Sequence, residues 1–80
     1  MKIHSVTIDQ RHGSAYIHID APKEKASKRQ VNLGDAVILD IGENGKLIGV
    51  EILHPDLTSL LFQEDAIRAL EKAHVPVKVA

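Results

Sequence analysis

The chain has 80 residues, a formal net charge of −1 and 44% hydrophobic residues, with one tyrosine, one phenylalanine and no tryptophan or cysteine. This length makes one domain, 1–80, with no room for a second. The lack of cysteine excludes disulfides and cysteine-based zinc sites, and the near-neutral charge disfavours a dedicated nucleic-acid binder. Because so short a chain buries only about 60% of its unfolded surface, a second copy or a partner protein is the usual remaining source of stability.

Targeting and membrane segments are not evident in the sequence. The first residues lack the apolar run of a signal peptide, and no stretch approaches the roughly 20 apolar residues of a membrane span. We therefore expect a cytoplasmic protein without a membrane segment.

Two alternating segments begin the chain. Residues 2–9 and 15–20 read as strands, and the turn-like residues 10–14 join them into a first hairpin. Ala15, Ile17 and Ile19 fall on one face, whereas Tyr16 and His18 fall on the other.

The next segment is ambiguous. Residues 22–28 are polar and read as a loop, and 29–33 as a short strand before a turn at Gly34-Asp35. If that turn is a two-residue hairpin loop, Arg29 faces Asp40. The same register places Gln30 and Asn32 on the apolar face, which counts against it.

The pattern of residues 37–53 predicts a second hairpin. Asn44-Gly45 is the dipeptide of a two-residue type I′ turn, in which both central residues need a positive φ. Counting outward gives an apolar face with three pairs: Ile41 with Ile48, Leu39 with Val50, and Val37 with Ile52. The second face is mixed, and its pairs are Gly42 with Leu47, Asp40 with Gly49, Ile38 with Glu51, and Ala36 with Leu53.

A helix follows the second hairpin. His54-Pro55-Asp56 is a helix-start signal with Asp56 or Ser59 as the cap, and apolar residues recur at helical spacing from Leu57 to Ala73. Phe62-Gln63 is a point where the helix could divide in two. Residues 75–79, around Pro76, form either a tail or a late edge strand.

These elements predict an α+β domain. It consists of a small antiparallel sheet of about four strands in two hairpins (1–53), one C-terminal α-helix (56–74) and a tail or edge strand (75–80). The sheet face that the helix does not cover is left for solvent, a second copy or another protein, and the small size of the chain leads us to expect a homodimer.

Two blocks of the sequence resemble the domain-of-unknown-function family 2283 of small bacterial and phage proteins. The first runs from Asp9 through Ala15-Tyr16-Ile17-His18-Ile19, and the second, from Asp40 to Leu53, holds G-V-E-I-L after the N-G turn. The resemblance covers about residues 6–53. It departs at Gly42, where the family often has a second Asp, and in residues 10–14, which do not follow the usual acidic pattern. Both departures weaken a metal-binding interpretation.

The resemblance implies no activity, since none is assigned to the family. Some members are encoded beside small toxin-like proteins, so an antitoxin-like binding role is compatible with it. We expect a non-enzymatic protein-interaction module that binds itself or a small partner such as a toxin. The expected partner-binding residues lie on the second sheet face: Tyr16, His18, Ile38, Asp40, Gly49 and Glu51. Gly49, inside a strand, indicates a bulge or a close approach by another backbone, either for packing or for a partner or ligand.

Two other functions remain open. A nucleic-acid-binding regulator would use the basic segment, through Lys23, Lys25, Lys28 and Arg29, although this segment lacks an aromatic residue for base stacking. A small metal-binding or hydrolytic protein would use Asp40 and Glu51. The five histidines do not show the spacing of a metal-binding helix, and catalytic signatures are absent, so we expect no metal, cofactor or enzyme activity.

Overall fold

The computed structural model describes residues 2–21 and 27–80. Within these residues it has six strands and two helices. They are β1 (Ile3–Asp9), β2 (Ser14–Ile19), β3 (Ser27–Leu33), β4 (Val37–Gly42), β5 (Leu47–Ile52), α1 (Pro55–Phe62), α2 (Glu64–Lys72) and β6 (Val77–Val79). The α+β class is confirmed, but the predicted numbers, about four strands and one helix, are too low.

All six strands form one sheet in the order β3-β4-β5-β2-β1-β6. β6 runs parallel to β1, and the other neighbouring pairs are antiparallel. The N–H of Val6 donates to the carbonyl of Pro76 at 2.9 Å, and the N–H of Ala80 donates to that of Ile8 at 2.8 Å. Of the two alternatives for residues 75–79, the edge strand is therefore the one observed.

The predicted helix is divided at Gln63, where the backbone is extended with φ −64° and ψ 143°. The cap of α1 also differs from the prediction, because His54 occupies that position and its Nδ1 accepts from the N–H of Asp56 at 3.2 Å. Pro55 explains the shift, since proline favours the first helical position and makes the preceding residue the cap. Asp56 and Ser59 therefore lie inside the helix.

The loop of the second hairpin has three residues instead of the predicted two. The N–H of Gly45 donates to the carbonyl of Gly42 at 2.9 Å, and the N–H of Gly42 donates to that of Lys46 at 2.7 Å. Gly45 has φ +80°, whereas Asn44 keeps a negative φ. This is the common three-residue loop with a left-handed glycine at its end, so the type I′ prediction is wrong.

A bulge on β5 compensates for the longer loop. Ile41 pairs with Leu47 instead of the predicted Ile48, and the register shifts by one residue before Asp40 pairs with Gly49. From Asp40 to Val37 every pair is the predicted one. The extra residue thus restores the alternation that keeps the apolar side chains on one face.

The loop of the β3–β4 hairpin also has three residues, 34–36, with Gly34 at φ +72°. Gln30, and not Arg29, is therefore the residue paired with Asp40. The shift places Val31 and Leu33 on the apolar face, opposite Leu39 and Val37, and moves Gln30 and Asn32 to the polar face. The two-residue register would have placed Gln30 and Asn32 on the apolar face. The observed register avoids this, because the burial of apolar side chains determines the register.

Apolar side chains form two rows that cross the sheet. The strand pairings place Val6, Ile17, Val50, Leu39 and Val31 in one row and Ile8, Ala15, Ile52, Val37 and Leu33 in the other. α1 packs on β1 and β2, and α2 packs on β6. The core therefore lies at this end, where Leu61, Phe62, Leu70 and Val75 pack against the first residues of both rows.

Candidate functional site

The polar face of the sheet is organised around Asp40. Tyr16 on β2 donates its hydroxyl proton to Asp40 Oδ2 at 2.5 Å, and the Gln30 amide on β3 donates to Asp40 Oδ1 at 2.9 Å. Both carboxylate oxygens therefore accept hydrogen bonds from other strands. Although no helix packs here among the described residues, Asp40 is only 8% exposed. A carboxylate so enclosed needs these donors, because a buried charge without partners is costly.

Gly49 makes this contact possible. It lies in β5 between His18 and Asp40, its partners in register. A Cβ atom built on Gly49 would overlap the hydroxyl and Cζ of Tyr16. The tyrosine ring therefore crosses β5 over the backbone of Gly49 to reach Asp40. The prediction of a close approach at Gly49 is explained by a side chain of the same molecule.

The remaining predicted partner-binding residues surround this contact. The rings of His18 and Tyr16 have centroids 4.6 Å apart, and His18 Nε2 lies 3.3 Å from the hydroxyl oxygen of Thr7. Glu51 pairs with Tyr16 on one side and with Ile38 on the other. The structure thus brings all six predicted residues together on one face, which we call the polar face. The sequence alone did not reveal the contribution of Gln30.

The environment of Tyr16 raises the pKa of its hydroxyl above the usual value. Burial is the main cause, followed by the hydrogen bond to Asp40 and the negative charges of Asp40 and Glu51. The neutral hydroxyl is favoured because ionisation would place a third negative charge beside two carboxylates in a partly dehydrated position.

Tyr16 can be titrated alone, because it is the single tyrosine of the chain and there is no tryptophan. We expect tyrosinate absorbance to appear well above pH 10, the usual range, in the folded protein. Asp40→Asn should bring the transition closer to pH 10 by removing one negative charge. Asp9→Asn is the matched control, since Asp9 contacts His12 instead. An unchanged midpoint in Asp40→Asn would contradict the role of Asp40.

The same shift has a consequence for stability. Since the pKa of Tyr16 is higher in the folded than in the unfolded state, the folded protein retains the proton longer as the pH rises. Its contribution is complete below about pH 10 and declines as the pH rises from there towards the folded pKa. Urea unfolding at alkaline pH should therefore show a smaller loss of stability for Tyr16→Phe than for the unmodified protein.

Several histidines have structural contacts. Besides His18 and the helix-capping His54, His12 Nδ1 lies 2.8 Å from Asp9 Oδ2. The hydrogen bond from the His12 side chain is the main reason why the pKa of Asp9 is lowered. Among residues 2–21 and 27–80, no group of three or more His, Cys, Asp or Glu residues could hold a metal ion.

The predicted nucleic-acid-binding residues are only partly described. Lys23 and Lys25 lie outside the described residues, Lys28 falls within β3, and Arg29 is exposed on the same strand. Asp40 and Glu51, the pair considered for metal binding or hydrolysis, share the polar face, but Asp40 is occupied by Tyr16 and Gln30. Neither described helix is long and apolar enough to cross a membrane.

A second surface was not recognised from the sequence. The two apolar rows extend beyond the helices onto β3, β4 and β5, and their burial decreases in that direction. Val6 and Ile8, beneath the helices, are 2% and 0% exposed, whereas Leu33 at the far end is 54% exposed. We define the open apolar surface as the row members on these strands that do not reach the core: Val31, Leu33, Val37, Leu39 and Val50.

Comparison with known proteins yields one match. A family model described as "Protein of unknown function (DUF2283)" matches residues 5–54, which confirms the resemblance predicted for residues 6–53. No curated protein and no solved structure matches the chain. The match runs from Ser5 in β1 to just beyond the end of β5 and thus includes both the polar face and the open apolar surface.

Proposed function

The chain belongs to the DUF2283 family, and we propose that it is a non-enzymatic protein-interaction module that associates with a second copy of itself through the open apolar surface. The observation that carries the proposal is the incomplete cover of the sheet. α1 and α2 pack on β1, β2 and β6, while apolar rows continue onto three further strands. Four members of this surface are half-buried and Leu33 is 54% exposed, and contiguous apolar surface that stays partly open to solvent is typical of interaction sites.

The area of the molecule supports this proposal. The chain exposes 5694 Å², whereas a compact monomer of its mass, 8.8 kDa, exposes about 4,800 Å². The excess is about 900 Å², close to the roughly 800 Å² that each partner buries in a standard interface. Contact with one additional copy would bury an area of this order.

The polar face is less suited to self-association. Its central carboxylate is already hydrogen bonded by Tyr16 and Gln30 within the same chain. A small partner protein, such as a toxin, on this face is the second candidate function, and the half-buried His18, Ile38 and Glu51 around the centre favour it. A partner that binds there would have to complement the polar side chains of His18 and Glu51 and the apolar side chain of Ile38.

Two neighbouring residues of β4 distinguish the two faces. Leu39 belongs to the open apolar surface and Ile38 to the polar face, and both are half-buried. We expect Leu39→Lys to yield a monomer by sedimentation velocity, because a lysine ammonium in an apolar interface loses its hydration. Ile38→Lys should leave the dimer intact. The more exposed Leu33→Lys is a second surface variant for the case that Leu39→Lys does not fold.

The opposite pattern would contradict the proposal. If Ile38→Lys dissociates the dimer and both surface variants leave it unchanged, self-association uses the polar face. Circular dichroism of each variant verifies that the chain is folded.

A further inference from the structure

We infer that two copies interlock, so that α1 of each copy lies on the open apolar surface of the other. This inference rests on the proposed self-association and specifies its geometry. It starts from the shape of the sheet, which, within residues 2–21 and 27–80, carries a helix layer over β1, β2 and β6 and only one layer at β3 and β4. The molecule therefore has a step on its apolar side, with α1 as the raised part and the open apolar surface as the lower part.

Exposed leucines occupy the raised part of the step. α1 begins after a connection of only two residues, Leu53-His54, so its first turn stands beside the end of β5. Leu57 and Leu60 are exposed there, at 42% and 57%. We call these two residues the leucine ridge. Leu57 and Leu60 are three residues apart and so share one side of the helix.

The other side of α1 faces its own sheet. Thr58 is buried and donates its hydroxyl proton to the carbonyl of Gly13 at 3.1 Å, and Leu61 and Phe62 pack against the core. At 100° per residue, Leu60 lies nearly opposite the middle of this buried sector. It therefore points away from its own sheet, which is the direction from which a second copy would approach.

One symmetry operation matches both parts of the step. A two-fold axis that runs parallel to the strands, near the border between β5 and β2, turns the second copy over. The strands β2, β1 and β6 of that copy then lie opposite β5, β4 and β3 of the first. Each helix layer then meets the single-layered half of the other copy, and the same contact occurs twice, as in any isologous dimer. The result is a sheet–helix–sheet sandwich, whose two outer surfaces are the polar faces.

The alternative two-fold, across the strands, places ridge on ridge and open surface on open surface. The helices would then hold the two sheets two helix layers apart and leave the open apolar surfaces without contact. The interlocked arrangement is favoured because it covers both apolar parts with one interface of standard size.

Cysteine cross-linking tests this geometry, since the chain has no cysteine of its own. A Leu60→Cys protein carrying an affinity tag is mixed with an untagged Leu39→Cys protein and oxidised. We expect up to about half of the chains to form tagged–untagged cross-links, the fraction set by random pairing in a two-fold dimer. Ser59→Cys replaces Leu60→Cys in the matched control, because Ser59 lines the pocket beside Gly13 and faces the β1–β2 turn. It should give little cross-linking.

Each other outcome overturns the inference in a recognisable way. If Leu39→Cys protein alone cross-links as strongly as the mixture, the open surfaces face each other, and the proposed self-association stands without the interlocked geometry. The same holds if the Leu60→Cys and Ser59→Cys mixtures are equivalent while the mass remains that of a dimer. If no sample cross-links and the mass is that of a monomer, the proposed function fails as well.

Discussion

Gly49→Ala is expected to destabilise the protein by about 3 kcal/mol, a large share of the total stability of so small a domain. The added methyl group would occupy the space of the Tyr16 hydroxyl, so the ring must move. Asp40 would then lose one of the donors that compensate for its burial. Losing a hydrogen bond to a buried charged group costs more than losing one at the surface. Urea unfolding monitored by circular dichroism measures the change.

The same substitution in a Tyr16→Ala protein shows whether the tyrosine ring causes the destabilisation. In a Tyr16→Ala protein the obstructing ring is absent, so Gly49→Ala should be neutral or slightly stabilising, because alanine restricts the unfolded chain more than glycine does. The difference between the two backgrounds measures the coupling between Tyr16 and Gly49. If Gly49→Ala costs the same in both, the close packing of Tyr16 on Gly49 does not explain the requirement for glycine.

Ile8→Ala is expected to cost about 4 kcal/mol and to give a protein that is barely folded at ambient temperature. Ile8 is 0% exposed, and it lies beneath the helices in the middle of the core, beside Ala15 and Val75. Truncation there would leave a cavity that the surrounding strands cannot close, since they are fixed by sheet hydrogen bonds. Thermal unfolding at a fixed protein concentration provides the measurement.

Ile38→Ala is the matched control for this truncation. It removes the same atoms from a half-buried position on the polar face, so we expect a cost of about 1 kcal/mol. Equal costs at the two positions would mean that the core is not concentrated at the end of the sheet that the helices cover. Protein concentration must be the same in both measurements, because association contributes to apparent stability.

The sequence predicted much of the sheet, because alternation determines which side chains share a face. The pairs from Val37–Ile52 to Asp40–Gly49 are those that counting predicted, and they occur because the bulge on β5 compensates for the longer loop. The placement of Tyr16 and His18 on the face opposite Ala15 follows from alternation. The loops were less predictable. Asn44-Gly45 is compatible with two- and three-residue turns, and only the compensating bulge shows which of them occurs.

Other features depend on contacts between segments far apart in the sequence. Tyr16 and Asp40 are 24 residues apart, and their hydrogen bond follows from the strand order β4-β5-β2, which brings both beside Gly49. Thr58 is a second example. Its burial within a helical stripe of leucines is explained by its hydrogen bond to the carbonyl of Gly13, a residue far away in the sequence. Periodicity cannot reveal such pairs, because it describes single elements.

The expected site of association also changed. The sequence indicated that one face of the sheet would be covered by the helix and the other left for a partner. In the structure the helices cover one end of the apolar face, and two further leucines on α1, Leu57 and Leu60, remain exposed. The open apolar surface is therefore the one through which we propose association, while the polar face satisfies its central carboxylate within the chain.

The central claim is that a second copy covers the open apolar surface. The most direct test is sedimentation equilibrium of the unmodified protein across the micromolar range. The account predicts a dominant species of twice the 8.8 kDa chain mass, in reversible exchange with a smaller monomer fraction as the protein is diluted. A single species with the mass of one chain throughout this range would contradict it.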